Sequence, residues 1–213
     1  MKRPVCPSRI NYFDLGLCRG HELAWMASFL PTLTDSYHLY GFEACREHFD
    51  RCVESCDAMK NVALYHKAIA GSAGIVRLYH SRSEQGHSIY ASKNNVVASD
   101  FEEVEAIRFS DFFREHASEK EFNILRFNIE GAEWDLLNDL VESGLVSAID
   151  LFGGSDEDDM AKVAELRDRR ASRDELIQTH GIKIAYFCDV RRGWKESFGK
   201  IAKSEYARHL VSR

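Results

Sequence analysis

The sequence predicts an α/β fold: a doubly wound, mostly parallel sheet with helices packed on both faces. Three observations carry this. Ile10–Leu15 (INYFDL) is short, β-branched and aromatic, and it runs directly into a glycine turn, as a buried strand does. After Gly20, the residues Leu23, Met26, Ala27 and Leu30 recur at helical spacing until Pro31 stops the pattern. The same strand-then-helix unit then repeats along the chain, and parallel strands need a covering crossover between them.

Taken in order, the second strand is Tyr37–Phe42, ending on Glu43. A helix from about Arg46 to Cys56 follows, placing Cys45, Cys52 and Cys56 on one face with Phe49. Asn61–Ile69 reads as a third strand, and Gly71–Gly74 turns it into Ile75–Tyr79 as a hairpin. The stretch from Ser81 to Asp100 is polar and irregular, longer than most connections and of the kind that often carries function. Regular alternation resumes with a short strand near Val104–Phe109, a helix around Asp111–His116 and a buried strand at Phe122–Ile129. The next helix aligns Leu136, Leu137, Leu140 and Val141. Val146–Phe152 is a strand, Met160–His180 a long charged helix, Ile182–Cys188 a further strand, and Trp194–Val211 is helical. No repeat, low-complexity stretch or linker interrupts this order, so residues 1–213 form a single domain.

Composition narrows the function. With 213 residues, 45% hydrophobic and 29% charged, the chain is globular rather than disordered. Its net charge of -6 opposes a nucleic-acid-binding role, which calls for a basic surface that displaces counterions. No apolar run is long enough to span a bilayer, and the basic start of the chain has no apolar stretch after it. The reading is a cytoplasmic protein without a membrane or nucleic-acid partner, and an oligomer is compatible with it. Six cysteines fit a reduced compartment and lack the spacing of a disulfide scaffold. The Cys45, Cys52 and Cys56 stripe, with His48 nearby, reads as a buried apolar face of small thiols, and no metal is predicted. An acidic run at Asp156–Asp159 and a basic end from Arg191 to Arg213 read as solvated faces.

In such sheets ligands bind beyond the carboxyl ends of the strands, near the point where strand order reverses. Three places meet that condition. At the first, Gly16 and Gly20 allow close backbone approach, an ordinary tight turn being the alternative, but their Gly-x-x-x-Gly spacing is not the dinucleotide pattern, which disfavours a nicotinamide-dependent oxidoreductase. Asp14 beside this turn repels a pyrophosphate and attracts an ammonium or sulfonium. At the second, Glu43 ends a strand where an acid accepts ribose hydroxyl protons; a surface glutamate capping the next helix is the alternative. At the third, Asn128-Ile-Glu-Gly-Ala-Glu133 leaves a buried strand with two acids three residues apart at a helix start; helix capping is the alternative there.

The phrases YFDLGLCRG (Tyr12–Gly20), YGFEA (Tyr40–Ala44) and LRFNIEGAE (Leu125–Glu133) together resemble the FkbM family of S-adenosylmethionine-dependent methyltransferases. The resemblance runs from about Ile10 to Phe152. It implies a Rossmann-like class I methyltransferase fold, S-adenosylmethionine as cofactor, and O-methylation of a hydroxyl on a sugar or another small natural product, with no metal required. By that similarity Asp14, Gly16 and Gly20 line the methionine and ribose side of the cofactor, Glu43 holds the ribose hydroxyls, Ala68 and Ile69 flank the adenine, and Ser88 lies in a loop closing over the site. Glu130 is the first choice to accept the hydroxyl proton, with Glu133 and His87 behind it. Where family members commonly read Lys-x-Asp before the Glu-Gly pair, this chain has Arg126 and Asn128. That departure supports a second reading, a cofactor-binding or assembly subunit without methyl transfer. Arg126 and the basic end hint at an anionic acceptor. The class also implies a seventh, antiparallel strand, which is not evident after Cys188 unless Arg191–Trp194 forms a short one.

Overall fold

The computed structural model describes residues 9–154, 159–186 and 194–212. Six strands form one sheet in which every pairing is parallel. They are β1 (Ile10–Leu15), β2 (Tyr37–Glu43), β3 (Val62–His66), β7 (Phe122–Phe127), β8 (Leu151–Gly154) and β9 (Ile184–Tyr186), in the spatial order β3-β2-β1-β7-β8-β9. The chain builds outward from β1 on one side, then crosses to β7 and builds outward on the other. The switch point therefore lies between β1 and β7.

Each central strand serves two cores. Ile10 and Tyr12 of β1, Leu39 of β2, and Phe122 and Ile124 of β7 face one layer. Helices α1 (His21–Phe29), α2 (Arg46–Cys56) and α7 (Trp194–Ser212) cover it, α7 through Phe198, Ala202 and Tyr206 at successive helical turns. Phe13 and Leu15, Tyr40 and Phe42, and Leu125 and Phe127 face the other layer, packed by α3 (Phe109–His116), α4 (Glu133–Glu142) and α6 (Arg170–Thr179). Burial on both faces makes these strands predominantly apolar in the sequence, with Asn11, Asp14, Asn123 and Arg126 as buried polar exceptions. The second layer is aromatic: Phe13 stacks on Tyr40 at 5.1 Å between centroids and meets Phe109 edge-on at 5.2 Å.

A second, smaller sheet stands beside the first, in the order β4-β6-β5, with β4 (Ala68–Ile69), β5 (Gly74–Ser81) and β6 (Val96–Ile107). Several expectations are corrected here. Asn61–Ile69 is not one strand: the chain breaks at Lys67, and Ala68–Ile69 leaves β3 to pair with β6. The partner of Ile75–Tyr79 is not the third strand but β6, antiparallel, from Gly74 opposite Ala106 to Tyr79 opposite Phe101. The irregular stretch is thus shortened at its far end, because Val96 already begins β6. Val146–Ala148 is a 3-10 turn and the strand follows it, and the long helix expected over Met160–His180 is broken into α5 (Asp159–Lys162), a 3-10 segment and α6. Among the described residues β9 closes its side of the sheet and no antiparallel seventh strand appears. Arg191–Gly193, Cys188, Arg213 and Asp156–Asp158 lie outside the described residues.

Helices α3 and α4 are locked by one buried carboxylate. Asp139 accepts from Arg108 Nε (2.9 Å) and Nη2 (2.6 Å), from the Ser110 amide (2.8 Å) and from the Ser110 hydroxyl (2.7 Å). Asp139→Ala strands these donors, and charged hydrogen bonds of this kind contribute about 1.5–3 kcal/mol each. The expected result is a loss of about 3 kcal/mol in unfolding free energy, read by urea denaturation.

Candidate active site

Beyond the carboxyl ends of β1, β2 and β7 the chain encloses a cavity of about 520 Å³, within the range of small-molecule and cofactor sites. Its floor is laced together by main chain. The amides of Gly16 and Leu17 both donate to the Phe42 carbonyl, at 2.9 and 3.2 Å, and the Asn128 amide donates to the Leu15 carbonyl at 2.9 Å. Gly16 is where the β1 and β7 ends touch: at φ +86°, a Cβ on it would lie 2.1 Å from the Asn128 carbonyl oxygen. No residue with a side chain fits there.

Glu43 ends β2 with its carboxylate against the cavity and 8% of its surface exposed. Its Oε2 accepts from the Cys18 amide at 2.7 Å and its Oε1 from the Cys45 amide at 2.8 Å. A carboxylate has about four acceptor positions, so both oxygens are oriented and each retains capacity for a vicinal diol. Ala68 and Ile69 of β4, both buried, form an apolar stretch of the wall. Their route there is the break at Lys67 and the pairing with β6, rather than the end of a third strand.

The loop joining β5 to β6, residues 82–95, supplies the opposite wall. Ser88 is buried; its hydroxyl donates to the Glu130 carbonyl at 2.7 Å and accepts from the Tyr90 amide. Lys93, fully buried, ion-pairs with the Glu130 carboxylate and also donates to the Gly86 carbonyl at 3.2 Å. Glu130 is one of three non-glycine residues with positive φ (58°) among the described residues, a conformation that costs free energy and is found disproportionately at functional sites. Beside it, Asn128 presents a buried Oδ1 with no hydrogen-bond partner. A buried acceptor of that kind requires a donor.

Gly16, Glu43, Ala68, Ile69, Ser88, Asn128 and Glu130 therefore meet at one cavity, and three residues expected with them do not. Asp14 is buried under it. Its carboxylate takes Arg126 Nη1 at 2.9 Å and the Tyr12 hydroxyl at 3.3 Å, so its charge is matched within the protein and not aimed at a ligand. Burial raises the Asp14 pKa, against the pull of Arg126. Gly20, at φ +69°, opens α1 and packs toward Cys52. Glu133 folds back to accept the amides of Ile129 and Gly131, both at 2.7 Å, and so caps its own turn; the capping alternative holds for this acid.

Arg126 reaches the cavity with its charge matched by buried acids. Burial opposes its charge, yet Asp14 and Glu22 outweigh burial and raise its pKa above the ordinary value. Arg19 and Lys67 at the rim are paired with Glu84 and Glu105 at 2.6 Å each. From the basic end, Lys195 lines the cavity, while Lys200 and Arg208 pair with Glu196 and Glu205 along α7. His87 lines the cavity with its Nδ1 accepting the Ser81 amide at 2.9 Å, and burial, then the neighbouring His48 and His80, push its pKa down to about 4. It is a neutral imidazole whose proton sits on Nε2, a donor rather than a base. Burial, with Glu43 adding to it, likewise raises the Cys18 thiol to about 11.

Sequence reasoning missed Lys93, which lies in a polar stretch with no periodicity to mark it as buried. His48 does lie beside Cys45, as the sequence placed it, and it also meets His87 with ring centroids 5.0 Å apart, a contact the sequence does not announce. The four cysteines among the described residues are free thiols. No helix among the described residues is long and apolar enough to cross a membrane.

A parallel sheet with its cavity at the β1–β7 switch point, a carboxylate ending β2 and an apolar wall after β3 defines a class I methyltransferase fold. The chain belongs to the FkbM methyltransferase family, whose domain model matches residues 14–164. No curated protein and no solved structure matches it significantly.

Proposed function

We propose that the protein is an S-adenosylmethionine-dependent O-methyltransferase acting on a hydroxyl of a sugar or another small natural product. The observation that carries this reading is Glu43, whose two oxygens are pre-set by the Cys18 and Cys45 amides at the wall of the cavity. Glu43 would hold the ribose hydroxyls, Ala68 and Ile69 would flank the adenine, and Gly16 would bring main chain against the cofactor. The unpartnered Asn128 Oδ1 fits the ammonium of the methionine portion. Bound there, the cofactor supplies an electrophilic methyl group.

The chain's own residues would position the acceptor oxygen and take its proton. Aligning the oxygen about 3 Å from the methyl carbon supplies much of the rate. Glu130 is a carboxylate at the cavity not assigned to the cofactor, and Lys93 with the Ser88 hydroxyl fixes where it stands. Glu133 is withdrawn from that role by its own capping bonds, and His87 by its tautomer.

The direct test is native mass spectrometry of the purified protein. Retained S-adenosylmethionine or S-adenosylhomocysteine supports the reading, and calorimetry showing no affinity for either overturns it. Glu43→Ala is expected to weaken calorimetric binding about 100-fold or more, since two charge-assisted hydrogen bonds to a diol contribute about 1.5–3 kcal/mol each. Cofactor binding without product across hydroxylated metabolites would favour the binding-only subunit, which the Lys93 hold on Glu130 makes the second reading.

A further inference from the structure

We propose that Cys45, His48 and His87 form a binding site for a zinc-class divalent cation in the wall of the active-site cavity. One ligand atom from each lies within 4.8 Å of the other two. Tetrahedral zinc with thiolate and imidazole ligands separates them by roughly 3.5 Å, as its bond lengths require, so side-chain rotations of about 1 Å close the set. Cys45 precedes α2 and His48 lies in its first turn, three residues on, which puts both on one helical face; His87 arrives from the 82–95 loop.

The second observation is His48 itself. It is 3% exposed, and its ring makes no hydrogen bond among the described residues. Its neighbours are the His87 ring and the Cys45 thiol, both of which are ligands in their own right. Imidazole nitrogen and thiolate sulfur are the ordinary donors for a zinc-class cation, and here three of them already stand side by side at the cavity wall.

The ligand set selects the ion. One thiolate and two imidazoles suit zinc rather than magnesium or calcium, which take oxygen ligands. Three protein ligands leave a fourth position, and because His48 and His87 both line the cavity that position opens into it, the pattern of reactive rather than structural zinc sites. Uptake releases the Cys45 thiol proton. It also exchanges a hydrogen bond: the Ser81 amide now occupies His87 Nδ1, so coordination through Nε2 shifts the ring proton to Nδ1 and frees Ser81. The site touches the proposed cofactor pocket, because the Cys45 amide is one of the two that orient Glu43. It stands independently of that reading, since its ligands are distinct from the residues assigned to the cofactor.

The experiment is a cobalt(II) titration of the untagged, chelator-stripped full chain. One equivalent is expected to bind, with intense tetrahedral visible bands and a near-ultraviolet thiolate-to-cobalt charge-transfer band. Zinc should displace it. Cys45→Ser is expected to remove the charge-transfer band, and Cys56→Ser to leave it. His87→Gln is expected to weaken binding at least about 100-fold, since even outer partners of a metal ligand are worth roughly 10–100-fold. A charge-transfer band that survives Cys45→Ser overturns the proposal, as does unaltered affinity in His87→Gln or the absence of saturable binding. Should Cys45→Ser fail to fold by circular dichroism, the His87→Gln affinity decides. S-adenosylmethionine affinity is measured on the same stripped sample, so failure of the metal site and failure of the cofactor reading are distinguishable.

Discussion

Gly16→Ala is expected to lower unfolding free energy by at least about 3 kcal/mol, in the range reserved for severe backbone and packing conflicts. Two costs combine. A left-handed φ of +86° is unfavourable for alanine by roughly 1–2 kcal/mol. The added Cβ would also lie 2.1 Å from the Asn128 carbonyl oxygen, and the neighbour is main chain that cannot rotate away. The ends of β1 and β7 would have to part, taking with them the Asn128 amide bond to Leu15. Gly144→Ala is the control: its φ is +73° but nothing lies within 4 Å of the added atom, so only the conformational cost of roughly 1–2 kcal/mol remains. Urea denaturation of both variants separates the two terms. Equal losses would show that the β1–β7 contact carries no special energy.

The second large effect falls on rate. Glu130→Gln is expected to reduce turnover by about 100-fold, with S-adenosylmethionine affinity within a few-fold of the parent. Positioned proton acceptors contribute about 10²–10⁴-fold. The lower end is taken here because the Lys93 ammonium already engages the Glu130 carboxylate. Glutamine keeps the shape and the loop's positive φ, so binding is spared while the proton loses its destination. Single-turnover methyl transfer, measured with radiolabelled cofactor, reads the chemical step without product release. Undiminished turnover removes Glu130 from the mechanism.

The central strands were legible because they are buried on both faces: β1, β2 and β7 are predominantly apolar and end where the loops begin. What failed was the second sheet. Strand β6 carries Ser99, Asp100, Glu102 and Glu103 within a stretch that is largely exposed, so it has the composition of a loop and is held as a strand by pairing with β5 along most of its length and with β4 at Ala106 and Ile107. Nothing in Asn61–Ile69 announces that the chain changes sheets at Lys67, because both halves are equally apolar. Val146–Phe152 and Met160–His180 were misread for a related reason: apolar content and helical spacing survive where turns of 3-10 geometry interrupt the element.

At the site, the legible residues were those whose meaning is local. Gly16 and Glu43 follow strands directly, and strand ends are where such sheets bind. Ser88 was reached only by resemblance. Asp14 was misjudged because its partner, Arg126, is distant in sequence though adjacent in the sheet register. Lys93 and the His48–His87 pairing are tertiary facts of the same kind, created when the 82–95 loop returns over the β2 end.

The amides that hold Glu43 have a consequence for recognition. Receptors often acquire their shape only as the ligand arrives, and part of the contact energy is then consumed in ordering them. Here the acceptor geometry at the end of β2 is completed by main chain from two separate loops, as part of folding itself. A ribose held at Glu43 as proposed would meet a rigid template, and its discrimination from a deoxy analogue would then rest on the backbone rather than on side-chain motion.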